Sequence, residues 1–232
     1  MERDDLVIVG GSAAGVQAAI TAQRLSPAEK VTVIRKEQRV LVPCGIPYIF
    51  GTLGSVEKDV IPDAVLGKAK LIIDEVTSID RGAQTVATSG GKTIGYGKLI
   101  LATGSQAAVP PIPGRDLDNV FAIRKDADYL GKLQSALKNA EDAVIVGGGF
   151  IGVEMADQCC KKGVNVTIVE MLSCCLMLNC GEDFCIRAEE KLKEKGVRVI
   201  TSNGVASIAG NGKVDHVELS NGEKIKADLV VI

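Results

Sequence analysis

One short pattern occurs twice in this chain, and its repetition leaves few folds open. Residues 6–19 read LVIVGGSAAGVQAA and residues 143–156 read AVIVGGGFIGVEMA. Each copy is a short β-branched run, then a cluster of glycines, then small residues at helical spacing, which is how a strand–helix–strand unit begins. A second β-branched run follows each copy at the distance one helix requires: VTVIRKE over residues 31–37 and VNVTIVE over residues 164–170. Between the copies, alternating apolar residues around Gly90 and Gly91 predict a hairpin. Lys98–Ala102 then reads as a buried strand that carries Ala102, Thr103 and Gly104 to a sheet edge. The stretch PPIPG over residues 110–114 breaks regular structure like a linker. A helical pattern over residues 129–138 leads into the second copy.

The glycine spacing gives the pattern its chemistry. Gly147, Gly149 and Gly152 form a full GxGxxG. Its first glycine makes the tight turn, its second lets a pyrophosphate approach the backbone, and its third packs helix on strand. The pyrophosphate then lies on amide groups at a helix N-terminus. Glu170 closes the second strand of this unit. A carboxylate there accepts from both hydroxyls of an adenosine ribose and repels a 2′-phosphate, which favours NADH over NADPH. In the first copy the three positions hold Gly10, Ser12 and Gly15, and serine is small enough to allow close approach. The expected architecture is therefore α/β, with two Rossmann-like, three-layer dinucleotide-binding domains over residues 1–113 and 114–232, the first carrying an inserted antiparallel β-meander.

Composition narrows the class further. The chain has 46% hydrophobic and 24% charged residues, with a net charge of −2, as an ordinary globular protein does. No basic patch points to nucleic acid and no apolar run has the length of a bilayer span. The start, MERDDLVIVGG, places acids where a secretory signal needs basic residues. The reading is cytoplasmic, where the seven cysteines are reduced rather than paired in a structural framework. Cys159, Cys160, Cys174, Cys175, Cys180 and Cys185 lack the paired knuckles of zinc sites and the tight runs of iron–sulfur sites. They read as packing thiols, and no metal is expected. Cys159 and Cys160 end a helix, so at least one should be buried. His216 sits in an alternating pattern and reads as a strand residue.

Two glycine units bracketing the ATGS of residues 102–105 resemble the flavin-dependent pyridine nucleotide–disulfide oxidoreductases, and the resemblance covers the whole chain. In that family the first unit holds FAD and the second holds NAD(P)H. The resemblance implies that Gly10, Ser12, Ala13, Ala14 and Gly15, then Ala102, Thr103 and Gly104, line FAD, with Val76 and the strand-end residues Arg35, Lys36 and Glu37. It implies NADH at Gly147, Gly149, Phe150, Ile151, Gly152 and Glu170. Glu154 matches a family glutamate close to the nicotinamide. Most relatives carry an acidic residue for the FAD ribose where this chain has Arg35, and Glu37 lies two residues on.

Two-cysteine relatives carry a CxxxxC pair after the second strand, whereas here Cys44 stands alone in LVPCGIPY, residues 41–48. That resembles the single-cysteine branch: coenzyme A disulfide reductases, NADH oxidases and peroxidases, and persulfide or polysulfide reductases. Oxidases and peroxidases usually show a histidine at the position of Ala13, so alanine tilts the reading toward disulfide or sulfane-sulfur reduction. Arg24 matches an arginine that contacts coenzyme A, while Val40-LVP departs from the reductases' SFxx. Gly45 and Pro47 suggest a helix start whose dipole favours a thiolate at Cys44, with room beside the sulfur for a flat flavin.

The expected activity is reduction of a small thiol disulfide, persulfide or polysulfide by NAD(P)H and FAD through Cys44. The alternatives are an NADH oxidase that reduces oxygen and a truncated nucleotide-binding remnant without turnover. Relatives continue past the position of Ile232 into a return strand of the FAD domain and a dimerisation domain, so the family's homodimer interface is expected outside this chain.

Overall fold

The computed structural model describes residues 2–232. Two compact units emerge. One comprises the chain up to Pro43 with Val60–Gln106 and Lys125–Ala127; the other comprises Cys44–Asp59, Ala107–Arg124 and Asp128–Ile232.

The first unit is built on β1 (Glu2–Val9), α1 (Ala13–Leu25), β2 (Val31–Arg35), β3 (Lys70–Ile73), β4 (Val76–Asp80), β5 (Thr85–Thr88) and β6 (Thr93–Leu101). They form one sheet in the order β3-β2-β1-β6-β5-β4. Strands β3, β2, β1 and β6 run parallel, and β5 and β4 fold back antiparallel as the expected meander. Alternation along β1 explains its burial on both faces. Leu6 and Ile8 pack with Ala19 of α1 and with Val31 and Val33, whereas Val7 packs with Ile34, Val86, Ile94 and Tyr96 on the other face. Each such fully buried aliphatic side chain stabilises the fold by about 1.5–3 kcal/mol. The later half of β6 differs from the buried strand expected: Ile100 is 37% and Leu101 60% exposed. The reason is pairing, because β5 reaches only to Gly95 along β6 and leaves the strand beyond it with β1 as its neighbour.

The second unit contains α2 (Ile46–Ile49), β7 (Val120–Phe121), α3 (Ala127–Leu137), β8 (Asp142–Val146), α4 (Phe150–Cys160), β9 (Asn165–Val169), α5 (Glu182–Glu194), β10 (Arg198–Ile200), β11 (Val205–Asn211), β12 (Lys213–Leu219), β13 (Lys224–Lys226) and β14 (Leu229–Val231). Five strands pair in parallel in the order β10-β9-β8-β14-β7, and β11-β12-β13 form a separate antiparallel sheet. The two sheets share a core in which Val144, Val169 and Val230 meet Ile208, Val217 and Leu219. Thus antiparallel strands occur in the second unit as well as the first, here as a separate sheet, which the sequence reading did not include. His216 lies within β12 beside Asp215, as the alternation suggested. Among the described residues no helix is long and apolar enough to cross a membrane.

Candidate functional site

The two glycine loops have the same construction. Gly10 has φ +109° and Gly147 has φ +101°, a region open to glycine and strained for other residues. Gly10 N–H donates to Ile34 O and Gly147 N–H donates to Val169 O, each at 2.8 Å. The third glycine of each loop admits the helix onto the strand. A Cβ on Gly15 would lie 1.9 Å from Gly10 O, and one on Gly152 would lie 2.0 Å from Gly147 O. Between them, Ser12 and Gly149 are the extended residues that precede α1 and α4. No atom lies within 4 Å of where a Cβ on Gly149 would project, so a ligand can approach the backbone there. Ser12 turns its hydroxyl to Leu41 O at 3.2 Å and makes no side-chain cap to its own helix. The helix amides therefore keep their donors for an anion. Ala13, Ala14, Phe150 and Ile151 open these first turns and are all exposed.

In the first unit the loop meets the end of β6. Ala102 N–H donates to Val9 O at 2.7 Å, and a Cβ on Gly10 would lie 2.1 Å from Ala102 O. The ends of β1 and β6 are where the strand order turns from one side to the other, the position at which open α/β sheets bind ligands. Thr103 and Gly104 continue outward, exposed, with Gly104 at φ +71°. Val76 is half-buried against the core on one face of this sheet. These cradles suit a dinucleotide pyrophosphate in both units, since Gly10, Gly15 and Gly152 let each loop pack closely on its own backbone while the uncapped helix starts keep their amides for an anion.

Strand register establishes the equivalence of Arg35 and Glu170. Val9 pairs with Ile34 and Val146 pairs with Val169, so each residue follows its matched partner. Their roles diverge. The Glu170 carboxylate accepts from Gly148 N–H at 2.6 Å and from Leu172 N–H at 2.7 Å, gripping the glycine loop from the strand end. The Arg35 side chain is 2% exposed, ion-paired to Asp63 at 2.7 Å, and donates to the carbonyls of Glu37 and Gln38. Its Cδ lies where a Cβ on Gly11 would be 2.6 Å away. Arg35 thus braces the first loop from behind and curls the chain after β2, which leaves Glu37 half-buried and Lys36 exposed.

Cys44 lies in a 3₁₀ turn, Pro43–Gly45, that leads directly into α2. This helix is a single turn with Pro47 inside it, so the macrodipole proposed for Cys44 is small, because a dipole grows from many aligned peptide units. The space beside Gly45 also differs from expectation. It is filled from within the second unit by Asp59, whose Oδ1 would lie 1.8 Å from a Cβ there, so the missing side chain makes room for a carboxyl. Two glutamines hold the segment in place. Gln158 of α4, 2% exposed, accepts from Thr52 N–H at 2.9 Å and from the Thr52 hydroxyl at 2.8 Å. Gln134 of α3 donates to Ile49 O and Gly54 O. Sequence reasoning missed all three of these residues. Gln158 had one signal, its position four residues after Glu154 on the same helical face.

Glu154 is half-buried and lines a cavity of about 270 Å³ with Tyr48, Asp157, Gln158, Lys191 and Lys195, among others. Arg24 is exposed in the last turn of α1. All seven cysteines are free thiols. Cys44 is exposed, Cys160 and Cys180 are half-buried, and Cys159, Cys174, Cys175 and Cys185 are buried. Burial pushes the Cys159 thiol up to about 12, and burial with the Glu189 and Glu170 carboxylates does the same to Cys175. Both therefore stay protonated and inert at neutral pH. Cys175 packs beneath the second loop, where a Cβ on Gly148 would lie 2.5 Å from its sulfur. Among the described residues, the group with metal-ligand spacing is the carboxylate trio Glu141, Asp142 and Asp228, with the Lys226 ammonium 2.8 Å from Asp142.

Comparison with known proteins agrees with this geometry. The chain is 34% identical over 235 residues to an NAD(P)H coenzyme A polysulfide/persulfide reductase of Pyrococcus horikoshii, covering 98% of this chain and 52% of that protein. It is 30% identical over 238 residues to an NADH oxidase of Methanocaldococcus jannaschii, covering 97% and 53% respectively. The chain spans about half the length of the curated relatives it matches. Among solved structures, an NAD-dependent persulfide reductase from A. fulgidus superposes with a TM-score of 0.88 at 30% identity, covering 98% of this chain and 45% of that one. A ferredoxin reductase from Rhodopseudomonas palustris superposes with a TM-score of 0.90 at 26% identity, covering 98% and 58%. Residues 4–232 match the sequence profile of the pyridine nucleotide-disulphide oxidoreductases, a family dependent on FAD and NAD(P)H. With two glycine cradles of this construction and a match over almost its whole length, the chain belongs to that family.

Proposed function

We propose that the chain carries the nucleotide-binding and thiol machinery of an NADH-dependent flavoprotein that reduces a small disulfide or sulfane-sulfur substrate through Cys44. The observation that carries this reading is exposure: Cys44 is the exposed cysteine, at the head of a segment whose residues 49–54 are anchored by side chains of two helices, while the other cysteines are buried or half-buried. Relatives named as persulfide, polysulfide and sulfur reductases support the substrate class. When bound, FAD and NAD(P)H supply the reducing equivalents; the remaining work belongs to the chain.

The loops of Gly10–Gly15 and Gly147–Gly152 bind pyrophosphate through backbone amides. Glu170 favours NADH, because a carboxylate at that strand end repels a 2′-phosphate. The Cys44 thiolate attacks one sulfur of R–S–S–R′, forming Cys44–S–S–R and releasing R′–S⁻, which takes a proton from water. Two electrons and one proton then return Cys44 to the thiolate and release R–SH. A single protein thiol suffices because the second sulfur comes from the substrate.

The test is anaerobic NADH oxidation by the FAD-loaded chain, with coenzyme A disulfide or polysulfide as acceptor and oxygen in a separate arm. Cys44→Ser should lower disulfide and polysulfide turnover by ~1,000-fold or more, as removal of a nucleophile does. It should leave NADH oxidation by ferricyanide unchanged. Intact disulfide reduction in Cys44→Ser overturns the reading, and turnover with oxygen alone moves the assignment to an oxidase.

A further inference from the structure

Asp59 presents an anomaly that the proposed chemistry does not use. It ends the 3₁₀ turn Val56–Asp59 and is 3% exposed. Its Oδ2 is the buried side-chain oxygen or nitrogen that, among the described residues, finds no hydrogen-bond partner. Leaving such a group unpaired is costly, more so when it is charged, so its retention calls for an explanation. The carboxyl covers Gly45, the residue after Cys44, with Oδ1, Cγ and Oδ2 all within 3.3 Å of where a Cβ would stand. The chain on either side is closed by an isolated antiparallel bridge between Leu41 and Val60 and by Ile61 N–H donating to Val40 O at 2.7 Å. Cys44 therefore leaves a closed neck at one side while Asp59 returns to it at the other.

We propose that Asp59 is a proton-controlled positioning residue for Cys44: as the neutral acid its carboxyl seats the Cys44–Gly45 turn, and as the carboxylate it loosens that turn. The physical basis is desolvation. A neutral carboxyl tolerates a dry, partnerless site, whereas a carboxylate there loses its hydration without gaining a donor. Local opening restores that hydration and is the least costly response, because the turn and α2 are short. The titratable and charged groups on the elements packed here are Glu57 and Lys58 on its own turn, both exposed, Cys44 next to the Gly45 that Asp59 covers, and Tyr48 on α2, which packs against that turn. None of them drives its titration: burial alone pushes Asp59 up to about 6. The positioning bears on turnover only if Cys44 is the nucleophile, so the inference rests on the function proposed above.

Amide exchange over residues 44–50, corrected for the intrinsic pH dependence, tests it on wild type, Asp59→Asn and Asp59→Ala. Wild type should exchange ~5-fold faster or more at about pH 8 than at about pH 5, as an opening linked to ionisation requires. Asp59→Asn, neutral and of the same shape, should remain protected throughout, and Asp59→Ala should exchange fast throughout. A role in packing alone would slow or speed exchange equally at all pH values. Parallel profiles for wild type and Asp59→Asn overturn the inference, as does a carboxyl NMR titration of Asp59 in the ordinary aspartate range. If Asp59→Ala fails to fold, the other two proteins decide. None of these readouts requires turnover. Intact disulfide reduction in Cys44→Ser removes the functional reading and leaves the exchange pattern standing, whereas a failed exchange pattern leaves the Cys44→Ser result untouched.

Discussion

Arg35 and Glu170 show how one backbone position serves opposite chemistry. Register makes them equivalent, yet one carries a buried cation paired to Asp63 and the other an anion closing on Gly148 N–H. Both side chains brace a glycine loop. Among the described residues, Asp59 Oδ2 is the buried side-chain oxygen with no such partner, and burial raises the pKa of its carboxyl. An acid that titrates near 3.8 unfolded and near 6 folded binds more protons in the native state across that window. Stability from this group is therefore largest below the lower value and falls as pH rises to the upper one. Asp59→Asn should remove that fall and be more stable than wild type at about pH 8, by about 1–2 kcal/mol, with the advantage gone below about pH 4. Urea unfolding at both pH values measures it; equal pH dependence in the two proteins would contradict the assignment.

At the scale of elements, the Cys44 segment depends on helices far away in sequence. Thr52 donates twice to Gln158 on α4, and a Cβ on Gly51 would lie 2.6 Å from Gln158 O, so loop and helix fit closely. Gln158→Ala leaves the Thr52 N–H without its acceptor and should cost about 2 kcal/mol. It should also raise amide exchange in residues 50–54 well above that in β8 and β9. An even increase across all strands would instead indicate global loss of stability. Most of this architecture was legible because it is periodic. The repeated glycine units predicted β1–α1–β2 and β8–α4–β9, and Gly90-Gly91 predicted the β5–β6 turn. The first and third glycines of both loops were readable for the same reason, since Gly10 and Gly147 take a positive φ and Gly15 and Gly152 leave no room for a side chain. What sequence did not show was pairing between distant positions. Gln158 on Thr52, Asp59 on Gly45 and Arg35 on Asp63 are contacts of ordinary polar residues that only tertiary packing brings together. The one-turn length of α2 also escaped, because PCGIPY carries a helix start but no signal for where the helix ends.

For the molecule as a whole, the two cradles are alike in geometry but belong to separate compact units, each with its own sheet and core. Their ligand affinities should therefore separate under substitution. A methyl group on Gly15 would fall 1.9 Å from Gly10 O and one on Gly152 would fall 2.0 Å from Gly147 O, so alanine at either position forces its own helix off its own strand. That displacement moves the amides that face the pyrophosphate. Each substitution should weaken its own ligand by ~10-fold or more, about 1.4 kcal/mol. Gly15→Ala should release FAD, seen as loss of flavin absorbance after gel filtration, while NADH binding measured by equilibrium dialysis stays within about twofold. Gly152→Ala should show the converse, with circular dichroism confirming that both variants fold. The alternative assignment, with both dinucleotides drawn to one cradle, predicts that a single variant loses both. Comparable loss of both ligands in both variants would show instead that the two units bind only as a coupled pair.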